Sequence, residues 1–278
     1  MTKYLTLLFF GLLSFTSCTW FSDENETQPC DDEDNEAVAV VLIEEFTGHK
    51  CGNCPKADAK MKLIKDEYCK QVVYVQIHSG YFAEPDESGR YTTDYTTPEG
   101  DSLFDSFKAG EVGLPNSMVN RKRFYGDLVL PPTHWEEAVN NSLPQDAFCR
   151  IHQDVSLSAS TRTINLDIEF TFLQPTNDSL FYNVYLVEDS LLSWQKDYIT
   201  APEDKPDYPH RYVLRSAPLG YKGSFLYKGV LLNGDILHKQ FRFNFGNDFV
   251  MEQLYIISFV GNAETGELLQ SNMTALLQ

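Results

Sequence analysis

The residues Ala37 to Ile43 form a nearly unbroken apolar run rich in β-branched side chains. The chain then passes through Glu44 to Lys50 into Cys51-Gly52-Asn53-Cys54-Pro55. A continuous apolar run of this length reads as a strand covered on both faces, the pattern of a parallel sheet. Pro55 suits the first turn of a helix. Ala57, Met61 and Ile64 recur at helical spacing, so a helix is predicted from Pro55 to Tyr68. Gln71 to His78 carries a second buried strand. Strand, helix and strand in this order make a right-handed parallel crossover, and two cysteines stand where its first strand turns into its helix.

That position has chemical consequences. Unpaired N–H groups at a helix N-terminus carry partial positive charge and stabilise a thiolate at Cys51. Lys50 and His49 add positive charge beside it. Cys54, one turn into the helix, is placed to attack a mixed disulfide on Cys51. A reversible dithiol needs this division between attacking and resolving thiols. C-x-x-C also occurs in zinc sites, so two other readings stay open. One is an inert structural disulfide. The other is a metal site drawing on His49, Cys51, Cys54 and His78. No cofactor is called for by the redox reading.

The N-terminus reads as an export signal. Lys3 precedes an apolar run from Tyr4 to Phe15, followed by Thr16-Ser17-Cys18. The run is shorter than the roughly 20 apolar residues of a membrane span and has the size of a signal-peptide core. A cysteine directly after small residues resembles the bacterial lipobox, with Phe15 where that motif usually has Leu. Cys18 would then be lipidated and anchor the chain to a membrane. A plain secretory signal is the other reading. Residues 18–36 hold eight acids and no basic residue between Thr19 and Glu36, and so read as a solvated tether. Acids near a lipidated cysteine also resemble a surface-export signal. The formal net charge of -18 and the lack of a long basic cluster argue against a nucleic-acid partner. Arg121-Lys122-Arg123 is read as a turn.

Export places the six cysteines in an oxidising compartment. With Cys18 lipidated and Cys51 paired to Cys54, three remain: Cys30, Cys69 and Cys149. A Cys69–Cys149 bridge is one option, and a partner at Cys30 is another.

Beyond His78, residues 79–98 are rich in Gly, Pro, Tyr, Asp and Thr and read as a long irregular insertion. A short helix is expected from Glu99 to Ala109, a turn at Gly110 to Pro115, and strands at Asn116 to Asn120 and Phe124 to Val129. Thr133 and Glu136 have capping-box spacing before a helix to Leu143. From about Gln145 the texture becomes period-two alternation, clearest at Ile164 to Phe172 and Phe241 to Phe245. Leu180 to Val187, His210 to Leu214 and Leu254 to Val260 are further candidate strands. An antiparallel β-sandwich of immunoglobulin-like type follows from this pattern. Its aromatic alternation is core. Asp-Ser-Leu triplets end at Leu103, Leu180 and Leu191 and resemble an O-glycosylation sequon, a pattern that also arises by chance.

The first half resembles thioredoxin-like proteins. Glu45 stands six residues before Cys51, where that family keeps a buried carboxylate to take the resolving thiol's proton; a solvated acid beside Glu44 is the alternative. Leu114-Pro115 matches the family's cis-proline loop, which would hold a partner chain by backbone pairing. Gly52-Asn53 replaces the family's Gly-Pro, and Lys50 stands where thioredoxin has Trp. A wider resemblance spans almost the whole mature chain. It rests on Glu44 to Pro55, Gln76-Ile77-His78-Ser79-Gly80, Gly113-Leu114-Pro115, Val119-Asn120-Arg121 and Pro209 to Arg215. These are similar to the twenty-eight-kilodalton outer-membrane proteins of anaerobic Gram-negative bacteria. That resemblance implies an outer-membrane lipoprotein, on the periplasmic face or the cell surface.

The expected organisation is therefore a signal peptide at 1–17, a lipidated tether at 18–36, an α/β thioredoxin-like domain at 37–144 and an all-β sandwich at 145–278. The expected site is Cys51, Cys54, Glu45 and Pro115, with Lys50, His49, His78 and Leu114 along the cleft. The expected partners are thiols or disulfides of exported proteins. A surface adhesin or ligand-binding lipoprotein with a purely structural disulfide is the competing function.

Overall fold

A computed structural model describes residues 38–143 and 146–277. The signal segment, Cys18, the acidic tether and Cys30 lie outside the described residues. The chain opens with strand β1 (Val41–Thr47), helix α1 (Cys54–Tyr68) and strand β2 (Val72–His78). The two strands pair in parallel with Thr47 opposite His78. Every residue of both is buried, as the apolar runs require. On one face, Val41, Ile43, Val72 and Tyr74 pack against Ala57, Met61 and Ile64 of α1.

Residues 79–97 form the expected irregular insertion, which pairs with a strand at a His78–Thr96 bridge and reaches Asp204 through the Tyr91 hydroxyl at 2.5 Å. Helix α2 (Pro98–Ser106) follows, capped by the Thr97 hydroxyl, which accepts from the Gly100 N–H at 3.0 Å. Helix α3 (Ala109–Val112) occupies part of the expected turn. Strand β3 (Asn116–Val119) runs antiparallel to β1. Phe124 to Val129 is not a strand; a single Phe124–Asp127 bridge closes a tight loop there. Helix α4 (Trp135–Ser142) buries Trp135, Ala138 and Val139 beside α1. The Thr133–Glu136 capping box does not form. Pro131-Pro132 starts a 3₁₀ turn that takes in Thr133, and His134 becomes the cap without a side-chain bond.

The second half supplies β4 (Cys149–Ser158), β5 (Thr163–Phe172), β6 (Ser179–Glu188), β7 (Leu191–Lys196), β8 (Asp204–His210), β9 (Val213–Ser216), β10 (Ser224–Lys228), β11 (Ile236–Asn244), β12 (Leu254–Asn262) and β13 (Leu268–Ala275). The expected strand at His210 to Leu214 is two: β8 ends at His210, Tyr212 takes a left-handed conformation, and β9 begins at Val213. Strands β11, β5 and β4 form one sheet. It faces β6 and β12 across a core that includes Ile168, Phe170, Val184, Leu186, Ile256 and Val260. This is the β-sandwich.

Its other layer belongs to a larger sheet, in the order β13-β12-β6-β9-β2-β1-β3 with β10 on β6. Strands on either side of residue 144 therefore share one sheet. Alternate residues of β6 point into different cores: Val184 and Leu186 into the sandwich, Tyr185 and Val187 toward Leu42, Phe46, Leu103 and Ala109. A strand serving two cores is apolar throughout, and β6 is buried along nearly its whole length.

The two halves also meet through charge. The Arg121 guanidinium donates to both carboxylate oxygens of Glu44 at 2.7 Å and to the Tyr185 hydroxyl at 2.9 Å. Glu44 is fully buried and Arg121 nearly so. Arg121 stands in the expected turn, with its side chain buried. Cys149 is a buried free thiol, so the Cys69–Cys149 bridge is not formed; Cys69 is disulfide-bonded elsewhere.

Candidate functional site

The site stands at the C-terminal ends of β1 and β2. The chain leaves β1 at Thr47, turns at Gly48 with the Cys51 N–H donating to the Gly48 carbonyl, and enters α1 at Cys54. Cys51 and Cys54 form a disulfide with their Cα atoms 5.4 Å apart. Cys51 is 4 % exposed and Cys54 is fully buried. Pro55 sits in the first helical turn. The Leu114–Pro115 bond is cis. Asn116 pairs with Phe46, so Pro115 lies at the end of β1 from which the cysteine loop departs.

Two segments clamp this loop. The Lys50 N–H donates to the Phe82 carbonyl at 2.9 Å. At Gly48 a Cβ would come within 2.5 Å of the Phe82 backbone, which fixes glycine there. On the other side lies the β7–β8 ribbon. The Lys196 N–H donates to the His49 carbonyl at 2.8 Å, and the Tyr198 N–H to the Gly52 carbonyl at 2.9 Å. The Gln195 amide reaches the Cys51 carbonyl at 3.0 Å. The Tyr198 ring lies where a Cβ on Gly52 would project. Nothing in the sequence reading placed this ribbon over the motif.

The cleft residues divide by charge. Lys50 pairs with Asp86 at 3.1 Å and lies over the Tyr81 ring. His49 is buried, stacked on Tyr91, with Nε2 3.3 Å from the Glu84 carbonyl. Burial lowers its pKa, so the imidazole is neutral near pH 7 and does not supply the positive charge expected of it. His78 ends β2 with neither ring nitrogen hydrogen-bonded. Burial, with His210 and His49 nearby, holds it well below the usual histidine range. Its ring lies 5.2 Å from that of His210 and 5.1 Å from Tyr95. Among the described residues no group of three His, Cys, Asp or Glu side chains is placed to hold a metal ion. The mixed His–Cys ligand set is further weakened because the two cysteines bond each other.

Glu45 is fully buried, so it is not a solvated acid. It faces α1, and burial together with Asp58 raises its pKa well above the usual carboxylate range. The Gln76 amide donates to Asp58 at 2.8 Å and lies 3.4 Å from Glu45. The Tyr208 hydroxyl of β8 donates to the second Asp58 oxygen. Asp58, Gln76 and Tyr208 were absent from the expected site. A glutamine inside the apolar run Val72 to Ile77, and an acid four residues after Cys54, were the available signals.

Known proteins bear on these features. No curated protein matches the chain. Among solved structures, HBP35 of Porphyromonas gingivalis aligns with a TM-score of 0.65 at 17 % identity, covering 86 % of this chain and 76 % of that one, and shares the fold. A domain of the outer membrane lipoprotein Omp28 from Porphyromonas gingivalis aligns at 19 % identity and a TM-score of 0.30, over 48 % of this chain and 90 % of that one. The family model described as outer membrane protein Omp28 matches residues 104–276, more than half of the sequence. The chain belongs to the Omp28 family of outer membrane proteins.

Proposed function

We propose that this outer-membrane protein is a lipoprotein, anchored through Cys18, whose thioredoxin-like first half exchanges thiols and disulfides through Cys51 and Cys54. The observation that carries the reading is the Cys51–Cys54 disulfide at the N-terminus of α1, with a fully buried Glu45 on the strand that leads into it. In the reduced chain the helix end favours a thiolate at Cys51. That thiolate attacks a disulfide of an exported protein and releases one of its sulfurs as a thiolate. Cys54 then loses its proton and attacks Cys51, releasing the second sulfur. The partner gains two electrons, and the chain returns to the disulfide. Leu114-Pro115 is the segment expected to hold the partner's backbone, with Lys50, His49 and His78 along the cleft.

The test is capture. Cys54→Ser in the exported chain leaves Cys51 without its resolving thiol, so partners accumulate as mixed disulfides that reductant releases. The reading fails if the variant captures nothing and the reduced wild type does not exchange with an added disulfide.

A second reading is favoured by one observation. The ribbon lies over Gly52 and leaves Cys51 only 4 % exposed. In that reading the disulfide staples the scaffold of a surface adhesin or ligand-binding protein.

A further inference from the structure

One helical turn into α1 from Cys54 lies a polar cluster whose members come from four elements. Glu45 projects from β1, Gln76 from β2, Asp58 from α1 and Tyr208 from β8. The orientation of Gln76 is fixed. Its side-chain oxygen accepts from the Arg211 backbone N–H at 3.0 Å, so its NH₂ group must point the other way. There it meets Asp58 at 2.8 Å and Glu45 at 3.4 Å. One amide therefore bridges two carboxyl groups, while one Glu45 oxygen has no hydrogen-bond partner. Asp58 follows Cys54 by one helical turn, the spacing that brings two side chains onto the same face.

We propose that Asp58 is the second member of a two-carboxylate proton store serving Cys51 and Cys54, joined to Glu45 by the Gln76 amide and tuned by the Tyr208 hydroxyl. This deepens the oxidoreductase reading and rests on it. Like charges sharing a site cannot both ionise freely, so the pair holds one proton over a range where an ordinary pair holds none. Burial and the Asp58 charge make Glu45 the protonated member. Asp58 is pushed up to about 6 by burial, against the Tyr208 and Gln76 hydrogen bonds that hold it down. Near pH 7 the open proton site of the pair is then on Asp58.

In resolution, the Cys54 S–H bond breaks and its proton passes to the carboxylate pair. The Cys54 sulfur bonds to Cys51, the bond from Cys51 to the partner breaks, and the partner leaves as a thiolate. The open site of the pair, on Asp58, takes up that proton, while Glu45 keeps its own. The titratable groups facing the pair from the surrounding elements are Tyr74 on β2, Tyr208 on β8 and, beyond Tyr208, Asp197.

The experiment is single-turnover resolution. The full chain, reduced with dithiothreitol and freed of it, is mixed with oxidised glutathione at a series of pH values. Acid-quenched samples are read by peptide mass spectrometry for the glutathione adduct of Cys51 and for the re-formed bridge. In the wild type, resolution speeds up as pH rises through about 6. Asp58→Asn loses that dependence and resolves about 100-fold more slowly near neutrality, the lower end of proton-transfer catalysis. Tyr208→Phe keeps the dependence but moves it to higher pH, because a donor that lowers the Asp58 pKa is gone. If Asp58→Asn keeps the wild-type profile while Glu45→Gln abolishes it, Glu45 acts alone; the proposal is overturned and the oxidoreductase reading stands. If Asp58→Asn does not fold, an unshifted Tyr208→Phe profile overturns the proposal by itself. If the wild type forms neither adduct nor bridge, both fall together.

Discussion

The backbone N–H of Tyr198 donates to the carbonyl of Gly52 at 2.9 Å, so a ribbon from the second half of the chain is paired to the dipeptide between the two cysteines. The ring of the same tyrosine leaves no room for a Cβ at Gly52, with its nearest carbon 2.4 Å from where one would stand. Gly52 is therefore retained for the ribbon's approach, since its backbone does not take a left-handed conformation.

A methyl group at that position must displace the ring. Gly52→Ala is expected to loosen the β7–β8 ribbon from the motif and to raise the rate at which dithiothreitol reduces the Cys51–Cys54 bond, by about tenfold or more if loss of a paired hydrogen bond costs ~1.4 kcal/mol. Tyr198→Ala should give the same increase by another route. Reduction rates equal to wild type in both variants would show that the ribbon does not limit access.

The ion pair between Arg121 and Glu44 joins the first half to Tyr185 on β6. Removing one member leaves the other charge buried, so Arg121→Met should cost about 3–5 kcal/mol. Adding Glu44→Gln should recover part of that loss, because no unpaired charge is then left. Urea unfolding of the single and double variants measures both. A double variant as unstable as the single one would mean that the arginine acts through packing on Phe107 and Phe259.

Acid should act on the histidine cluster. Burial brings the His210 pKa from 6.5 to about 3. In that window the unfolded chain binds a proton that the folded chain does not, so stability falls as pH falls below 6.5. Between about pH 6.5 and pH 5 this one residue costs ~2 kcal/mol. Glu45 and Asp58 act in the opposite sense, since their raised values let the folded chain keep protons that the unfolded chain has released. His210→Phe isolates the histidine part. Its stability relative to wild type should improve by that amount between the two pH values, read from urea midpoints. An unchanged difference would show that His210 does not titrate on unfolding.

The strand–helix–strand unit was legible because Ala37 to Ile43 is apolar throughout and Val72 to Ile77 is apolar but for Gln76, the pattern of strands covered on both faces. The alternation of Ile164 to Phe172 likewise announced a sheet with one buried face. The ribbon was not legible. Leu191 to Lys196 mixes polar and apolar residues, and Asp204 to His210 carries Pro206 and Pro209, which local pattern assigns to a loop. Its strands are held by contacts with His49, Cys51 and Gly52, far away in sequence. Asp58 was equally hidden, since one acid among lysines on a helix reads as solvated. Its role depends on Tyr208, which reaches it from 150 positions away. The shared sheet was missed because β9 meets β2 at a single pair, Gln76 and Val213, too short a contact for periodicity to reveal.

The most direct test of the central claim is a redox titration of the Cys51–Cys54 pair in the full chain, followed by peptide mass spectrometry. A reversible couple within the range of thiol–disulfide oxidoreductases, roughly -120 to -270 mV, is expected. A bridge that stays oxidised throughout glutathione-like potentials would contradict that claim and leave the disulfide as a structural staple.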